Sequence, residues 1–190
     1  MVPPQKGASM SSHLPQADAP SQPNPVPTRF AYRVEGNLYA SEYPISRDDV
    51  HFSPKLNAMM DFGVTDFIDL TMPGELHPYA HWLRNGVQHW SFPIPDTRAP
   101  KTPAQMDAIL DQIDALLAAG HVVCVHCWGG IGRTGTVVAA WLGRKYGLNA
   151  EEALQRQQAR WHENPKSKLT HENVTPYQIH FLQAYLNRQS

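Results

Sequence analysis

The chain has few cysteines, no long apolar run and no excess of either charge. Two cysteines in 190 residues cannot build the disulfide framework of a small secreted domain. No run approaches the roughly 18 apolar residues of a membrane span, and the first residues lack the basic-then-apolar pattern of a signal peptide. A formal net charge of -1 gives no general attraction to nucleic acid. We therefore expect a soluble monomer with no membrane span and no nucleic-acid partner.

The first 28 residues differ in composition from the rest of the chain. Residues 1–28 hold seven of the 17 prolines, together with many Ser, Gln and Ala residues. Because this segment has almost no large apolar side chains to bury, we expect a disordered, proline-rich tail. Residues 29–190 are long enough for one domain, and a hydrophobic content of 42% in the chain can supply its core.

Strand and helix patterns alternate through residues 29–190. Apolar segments predict strands, and capping residues, prolines and glycines predict the ends of helices between them. The predicted strands cover 37–40, 64–70, 87–92 and 121–126. The predicted helices cover 54–62, 79–84, 103–119 and 134–146, and two more begin after Asn149 and Thr175. This alternation predicts an α/β fold with a mixed four- to five-stranded sheet flanked by helices on both faces.

A glycine-rich loop follows the last predicted strand and precedes a helix. It reads His126-Cys127-Trp128-Gly129-Gly130-Ile131-Gly132-Arg133-Thr134. A phosphate ester brings about two negative charges, which backbone N–H groups at a tight turn and at a helix N-terminus can hold. The glycines permit such a turn by adopting φ values that other residues resist. We therefore expect the backbone of residues 128–132 and the planar fork of Arg133 to bind a phosphoryl group.

The same loop contains a candidate nucleophile. A cysteine among N–H dipoles and beside an arginine is expected to ionise at neutral pH, so Cys127 would attack phosphorus as a thiolate. A thiolate must stay reduced to react, which favours a reducing, cytoplasmic location. The neighbouring Cys124 should point to the opposite face of an extended strand. It is therefore interpreted as a small buried residue and not as a disulfide partner.

Other interpretations of these residues are weaker. Gly130, Gly132 and Gly135 have the spacing of a dinucleotide-binding fingerprint, but the acidic residue expected on the next strand is missing. They also match Walker A spacing, but Thr136 stands where the phosphate-binding lysine is required. His77 and His81 have the spacing of metal ligands without a third ligand beside them. We therefore expect neither a metal nor a cofactor.

The order His-Cys-x5-Arg-Thr resembles the signature of the cysteine-dependent protein tyrosine and dual-specificity phosphatases. The resemblance extends to Phe92-Pro93-Ile94-Pro95-Asp96, which ends 31 residues before Cys127 and is similar to the general-acid loop of the compact dual-specificity members. Within the superfamily, the sequences of both loops are most similar to those of the cyclin-dependent-kinase-associated phosphatases and their bacterial relatives. The resemblance implies a compact tyrosine-phosphatase-like catalytic domain over residues 29–190.

The resemblance implies further residue roles. Asp96 would protonate the leaving oxygen and later accept a proton from the attacking water, which a carboxyl within hydrogen-bond reach can do. Thr134 would donate to the catalytic sulfur, and His126 would order the loop. Gln178 is similar to a glutamine of the tyrosine-specific relatives, but Val174 stands where those enzymes place a second glutamine. A catalytic role and a helix-surface position for Gln178 therefore both stay open.

The implied function is hydrolysis of phosphomonoesters on phosphorylated proteins or peptides through a phosphocysteine intermediate. Phosphotyrosine is favoured over phosphoserine and phosphothreonine. Residues 128–132 contain no lysine, which relatives that act on inositol phosphates often place there. The missing lysine therefore favours a phosphoprotein substrate, and an inositol phosphate or phosphoinositide phosphatase is kept as an alternative. A non-catalytic phosphate-binding module, and a thiol enzyme for sulfur transfer or arsenate reduction, are further alternatives.

Two questions about the surroundings of the loop stay open at this point. Arg160, Lys166 and Lys168 either add positive potential at the mouth of the site or form an ordinary solvated surface. Trp128 either stacks against the substrate or packs beneath the loop. The sequence alone does not decide between these arrangements.

Overall fold

The computed structural model describes residues 25–170 and 174–188; most of the expected tail, residues 1–24, lies outside the described residues. Within the described part the strands are β1 Ala31–Glu35, β2 Leu38–Ser41, β3 Asp66–Asp69, β4 Gln88–Ser91 and β5 Val123–His126. The α-helices there are α1 Pro54–Phe62, α2 Pro103–Ala118, α3 Gly132–Tyr146, α4 Ala150–Trp161 and α5 Pro176–Leu186. In the same residues, no helix is both long and apolar enough to cross a lipid bilayer.

The strands form one mixed sheet in the order β1-β2-β5-β3-β4. β1 and β2 pair antiparallel, whereas β2, β5, β3 and β4 pair in parallel. The prediction of a mixed sheet of four to five strands is confirmed, although β1 lies outside the predicted strands. The parallel pairs bring the carboxyl ends of β2, β3, β4 and β5 to the same edge of the sheet.

Alternate residues of the sheet face two different cores. Ile68 and Val125 pack in the larger core, which α2, α3, α4 and α5 cover. Phe67 and Cys124 point the other way, into a smaller core that α1 covers. All four side chains are fully buried. Helices on both faces, as predicted, therefore keep water from the sheet and fix the positions of its strand ends.

Four helices begin at the capping residues that the sequence indicates. The side chains of Ser53, Thr102, Asn149 and Thr175 accept the backbone N–H of the residue three positions later, at the starts of α1, α2, α4 and α5. Each such bond satisfies a donor that the helix itself leaves unpaired. The predicted positions of these helix starts are confirmed.

The helix predicted over 79–84 is wrong. Residues Ala80–Trp82 form a single 3₁₀ turn. Pro78 lies directly before this segment and Asn85-Gly86 directly after it, so too few residues remain to nucleate an α-helix.

The carboxyl ends of the parallel strands open onto one cleft of about 1360 Å³. Its lining includes Glu42 after β2, Glu75 after β3, Asp96 after β4 and Cys127 after β5. Because β5 lies in the middle of the sheet, the loop after it has loops from other strands on both sides. Residues far apart in sequence therefore meet around Cys127.

Candidate active site

Cys127 is the first residue after β5 and lines the cleft with only 3% of its surface exposed. Cys124 belongs to the core on the other face of the sheet, and both cysteines are free. Burial raises the pKa of Cys124 to about 12, against a smaller opposite effect of its contact with Ser41. Cys124 is therefore a neutral buried thiol, as the sequence indicates, and Cys127 is the thiol that reaches the cleft.

The nucleophile loop, residues 127–133, uses its glycines in different ways. Gly130 has a φ of +73°, and a Cβ there would lie 2.6 Å from backbone atoms of Ser41 and Glu42. Gly132 has no positive φ, but a Cβ on it would lie 3.2 Å from the Gln178 side chain. Gly129 has neither a positive φ nor a close neighbour. The expectation that all three glycines need unusual φ values is therefore wrong for Gly129 and Gly132, because the loop turns sharply only at Gly130.

The nucleophile loop runs into the N-terminus of α3, as predicted. Ile131 occupies the N-cap position and gives the helix no side-chain hydrogen bond. The first N–H groups of α3 are therefore not capped by the side chain at that position. They add the positive end of a helix dipole to the loop, which favours a bound anion.

Arg133 is held at the bottom of the cleft with 2% of its surface exposed. Glu75 accepts hydrogen bonds from Nη1 at 2.7 Å and from Nη2 at 2.6 Å. The carbonyl oxygen of Ile94 accepts from Nη1 at 3.1 Å. Burial disfavours the charged guanidinium, but the hydrogen bonds of Glu75, together with the charges of Cys127, Glu75 and Asp96, outweigh burial and raise the pKa of Arg133. Arg133 is therefore a fixed cation whose orientation Glu75 sets.

Two donors where the nucleophile loop meets α3 are buried and lack a hydrogen-bond partner within the described part of the chain. They are Nε of Arg133 and Oγ1 of Thr134. A buried donor without a partner costs roughly 1–3 kcal/mol, so an unpaired one in a cleft indicates a group that a ligand can satisfy. Glu75 and Ile94 take the two N–H groups of Nη1, and Glu75 takes one of Nη2. The donors left for an anion are therefore Nε–H and the second N–H of Nη2. The predicted contact of Thr134 with the catalytic sulfur stays a prediction.

His126 lies directly before Cys127 but is fully buried and outside the cleft lining. Its Nε2 is 2.6 Å from the hydroxyl oxygen of Tyr79, and its Nδ1 is 3.9 Å from a carboxylate oxygen of Asp69. Burial lowers the pKa of His126 to about 4, although Asp69 acts in the opposite direction. The ring is therefore neutral at neutral pH and packs behind the nucleophile loop.

Asp96 enters the cleft from the acid loop, residues 92–98, which follows β4. Its carboxylate oxygen lies 3.1 Å from Nη2 of Arg133, and its side chain is 63% exposed. Thr97 has a φ of +60°, a left-handed conformation that costs a non-glycine residue roughly 1–3 kcal/mol. The acid loop is thus a strained segment that places an accessible carboxyl in the same cleft as Cys127.

Gln178 lies on α5 and is fully buried, so its interpretation as a helix-surface residue is wrong. Its Oε1 accepts the backbone N–H of Thr175 at 2.8 Å, and its Nε2 donates to the carbonyl oxygen of Arg98 at 2.9 Å. Thr175 also donates its hydroxyl to the carbonyl oxygen of Thr97 at 3.1 Å. The start of α5 therefore holds the acid loop, and the Gln178 amide also lies against Gly132 of the nucleophile loop.

Trp128 lines the cleft with 48% of its surface exposed, so it does not pack beneath the loop. The Arg47 guanidinium lies 5.3 Å from the centre of the Trp128 ring. Trp128 is instead fixed through its backbone, where its carbonyl oxygen accepts the N–H of Tyr43 at 2.9 Å. The ring is left available at the mouth of the cleft.

Several charged residues of the cleft were not found from the sequence. They are Glu42, Arg47, Lys55 and Glu75. Their positions in the sequence could have identified them. Glu42, Arg47 and Glu75 follow predicted strands, and loops after parallel strands share one edge of the sheet. Lys55 lies at the start of the helix that follows the first of these loops. Of the three basic residues considered, Lys166 lines the cleft, and Lys168 does not. Arg160 instead donates to the carbonyl oxygen of Val34.

The cleft combines a buried thiol at a helix N-terminus, a buried arginine with a free Nε–H and an accessible carboxyl. These are the parts of a nucleophilic displacement at phosphorus: an attacking sulfur, a cation for the phosphoryl oxygens and an acid for the leaving oxygen. The fold and the site therefore define a cysteine-dependent phosphatase of the tyrosine and dual-specificity type.

Comparison with known families gives the same result. The model of a family described as "Swiss Army Knife protein, DSP-PTPase phosphatase domain" matches residues 27–178. The chain belongs to this DSP-PTPase phosphatase family. The match includes both the nucleophile loop and the acid loop.

Individual relatives are distant. The chain is 29% identical to a tyrosine-protein phosphatase of Autographa californica nuclear polyhedrosis virus, over 70% of this chain and 79% of the viral protein. It is 30% identical to human dual specificity protein phosphatase 1, over 60% of this chain and only 28% of the human protein. The chain therefore corresponds to the larger part of the viral enzyme but to a small part of the human one.

Solved structures agree on the fold. The crystal structure of Tk-PTP in its active form matches with a TM-score of 0.68 and 29% identity, covering 83% of this chain and 97% of that one. A kinase associated phosphatase matches with a TM-score of 0.62 and 19% identity, covering 80% and 86%. At that identity the second likeness concerns the fold alone, so the proposed branch within the superfamily stays a prediction.

Proposed function

We propose that this chain hydrolyses phosphomonoesters on phosphorylated proteins or peptides, with phosphotyrosine as the favoured substrate. The observation that carries the proposal is the unpaired Nε–H of buried Arg133 in the same cleft as Cys127 and Asp96. That donor, with the N–H groups at the start of α3, suits a phosphoryl group. The relatives named above, which are tyrosine and dual-specificity phosphatases, support the same substrate class.

The reaction proceeds in two displacements. First, the Cys127 sulfur forms a bond to phosphorus while the bond from phosphorus to the substrate oxygen breaks, and Asp96 gives its proton to the departing oxygen. Second, water attacks the phosphocysteine and gives a proton to the Asp96 carboxylate. The sulfur then leaves as a thiolate and inorganic phosphate is released. Arg133 holds the phosphoryl oxygens through both steps.

In the absence of substrate, the Asp96 carboxylate lies against Arg133. A bound phosphoryl group brings anionic oxygens to the same arginine and repels this carboxylate. The carboxyl is thereby released from Arg133 towards the leaving oxygen, to which it gives its proton in the first step. Substrate binding and positioning of the acid are therefore coupled in the mechanism.

The test compares wild type with Cys127→Ser on a small aryl phosphate and on a phosphotyrosine peptide, both in excess chelator. We expect metal-independent release of phosphate by the wild type and loss of release in the variant. Trapping of a phosphorylated Cys127 in the wild type by rapid acid quench would identify the intermediate. Tight peptide binding by both proteins without turnover by either would contradict the proposal and favour a phosphate-binding module.

We also propose that the protein works as a monomer in a reducing, cytoplasmic compartment. The support for this location is chemical, because oxidation of the Cys127 sulfur would remove the nucleophile. Fractionation of cells that express the tagged chain tests the location, and light scattering of the purified chain tests the oligomeric state.

A further inference from the structure

The charges in the cleft are unevenly distributed. The cations that line it are Arg47, Lys55, Arg133 and Lys166, and the carboxylates are Glu42, Glu75 and Asp96. Arg133 contacts both Glu75 and Asp96. The other three cations lie on the side of the cleft formed by Glu42 and the loop after β2. We call Arg47, Lys55 and Lys166, together with Glu42, the basic wall; its formal charge is positive although the charge of the whole chain is close to zero.

The two lysines of the basic wall converge on one carboxylate. Lys55 lies 2.7 Å from Oε1 of Glu42, and Lys166 lies 2.9 Å from Oε2. Burial tends to raise the pKa of Glu42, but these lysines outweigh burial and lower it. One carboxylate thus pairs with two ammonium groups, each of which has three N–H donors. Donors and positive charge are left over for a further anion.

Lys166 brings this charge next to the phosphoryl site. Its Nζ donates to the carbonyl oxygen of Gly129 at 2.9 Å. Gly129 is two residues from Cys127, a separation of at most about 7 Å. A lysine from outside the nucleophile loop therefore stands beside it, although the loop itself contains none.

Arg47 has no carboxylate partner among the described residues. Its guanidinium lies over the half-exposed ring of Trp128 at the mouth of the cleft. Stacking on the ring leaves the planar N–H fork of Arg47 free for a carboxylate or phosphate, which it can bind with two parallel hydrogen bonds. The aromatic face fixes the arginine without neutralising it.

The size of the cleft leaves room for more than one anion. Its volume of about 1360 Å³ exceeds the roughly 300–1,000 Å³ of common small-molecule pockets. Lys166 of the basic wall bonds Gly129, which is at most about 7 Å from Cys127. An extended peptide advances about 3.3 Å per residue, so a side chain that reaches Lys166 can lie two to three residues from the one whose phosphate sits at Cys127. The spacing suits a peptide that carries two anionic side chains.

We propose that the basic wall is a second anion subsite, which binds a carboxylate or a second phosphate within three residues of the scissile phosphorylated residue. The inference deepens the proposed function and rests on it. Arg47 provides the fork, and Lys55 and Lys166 provide the surrounding positive charge. The subsite makes an acidic or doubly phosphorylated peptide the preferred substrate class.

The test uses three phosphotyrosine peptides that differ only at flanking positions: one with glutamates, one with glutamines and one with a phosphoserine. We expect kcat/KM of the wild type to be on the order of 10-fold higher for the glutamate and phosphoserine peptides, the effect of one charge-assisted hydrogen bond. Arg47→Ala and Lys55→Ala should each bring the ratio of acidic to neutral peptide towards one. Raising the salt concentration should lower the same ratio.

Lys168→Ala is the matched control, because Lys168 shares the 3₁₀ turn Pro165–Lys168 with Lys166 but does not line the cleft. It should keep the wild-type ratio.

Equal rates for all three peptides in the wild type, or an unchanged ratio in both Arg47→Ala and Lys55→Ala, would overturn the subsite while leaving the proposed function intact. Hydrolysis of the aryl phosphate without hydrolysis of any peptide would overturn the proposed function itself. Faster turnover of an inositol polyphosphate than of every peptide would overturn the peptide as occupant.

Discussion

His126 precedes the nucleophile directly, yet its ring faces away from the cleft. In the folded chain burial lowers its pKa to about 4 from an ordinary 6.5, so the ring stays neutral where an unfolded histidine would bind a proton. Above pH 6.5 the ring is neutral in both the folded and the unfolded state, so His126 does not lower the free energy of unfolding there. As the pH falls towards 4, the unfolded state gains a proton that the folded state does not. The free energy of unfolding should therefore fall, by at most about 3 kcal/mol from this residue.

Urea unfolding of wild type and His126→Gln between pH 7 and pH 4.5 measures this effect. The glutamine keeps a polar group beside Tyr79 but does not titrate. We expect the variant to be less stable at pH 7 and the difference between the two proteins to shrink as the pH falls. His180→Gln, at an exposed position of α5, is the control. A difference between wild type and His126→Gln that stays constant over this range would contradict the assignment.

At the scale of elements, the start of α5 joins the two loops that carry the chemistry. Gln178 bonds the carbonyl oxygen of Arg98 and lies against Gly132, so one amide contacts both the acid loop and the nucleophile loop. Thr97 keeps its left-handed conformation beside these contacts. We therefore expect Gln178 to act as a positioning residue for Asp96.

Gln178→Ala should lower kcat for substrates with a poor leaving group by about 10-fold, the value of one lost hydrogen bond and helix cap. Substrates whose leaving group is already acidic need little protonation and should lose much less.

Asp96→Ala should give the same pattern with a larger loss, roughly 10²–10⁴-fold for the poor leaving group. Steady-state kinetics on an alkyl and an activated aryl phosphate distinguish the two effects.

Gln183→Ala provides the matched control for Gln178→Ala, since Gln183 is exposed on the same helix. Its kinetics should equal those of the wild type for both leaving groups. An equal loss for both leaving groups in Gln178→Ala would mean that Gln178 acts through the nucleophile loop and not through Asp96.

The elements that the sequence predicts correctly are those with local signals. Capping residues mark the starts of α1, α2, α4 and α5, and the order of residues 126–134 marks the nucleophile loop. The partners of Arg133 and Gln178 could not be predicted, because Glu75 and Arg98 meet them only through the sheet order and lie 58 and 80 residues away in sequence. The same holds for Lys166, whose contact with Gly129 depends on the packing after α4.

At the scale of the whole molecule, the boundary of the folded part lies close to residue 27. The family match begins there, Pro27 is buried, and the carbonyl oxygen of Thr28 accepts the N–H of Ala31 at 3.1 Å. The sequence places the boundary of the domain at residue 29. The contacts of residues 27 and 28 indicate that the folded part includes both of them.

Two truncations separate these boundaries. A chain that begins at residue 25 should keep the melting temperature and the aryl phosphate kinetics of the full chain, because it retains the buried Pro27 and the bond from Ala31 to Thr28. A chain that begins at residue 29 loses both and should melt lower, by about 2–4 °C for each kcal/mol lost. Calorimetry on both chains checks this order. A large fall already in the chain from residue 25 would mean that residues 1–24 pack on the domain, and the expectation of a disordered tail would then be wrong.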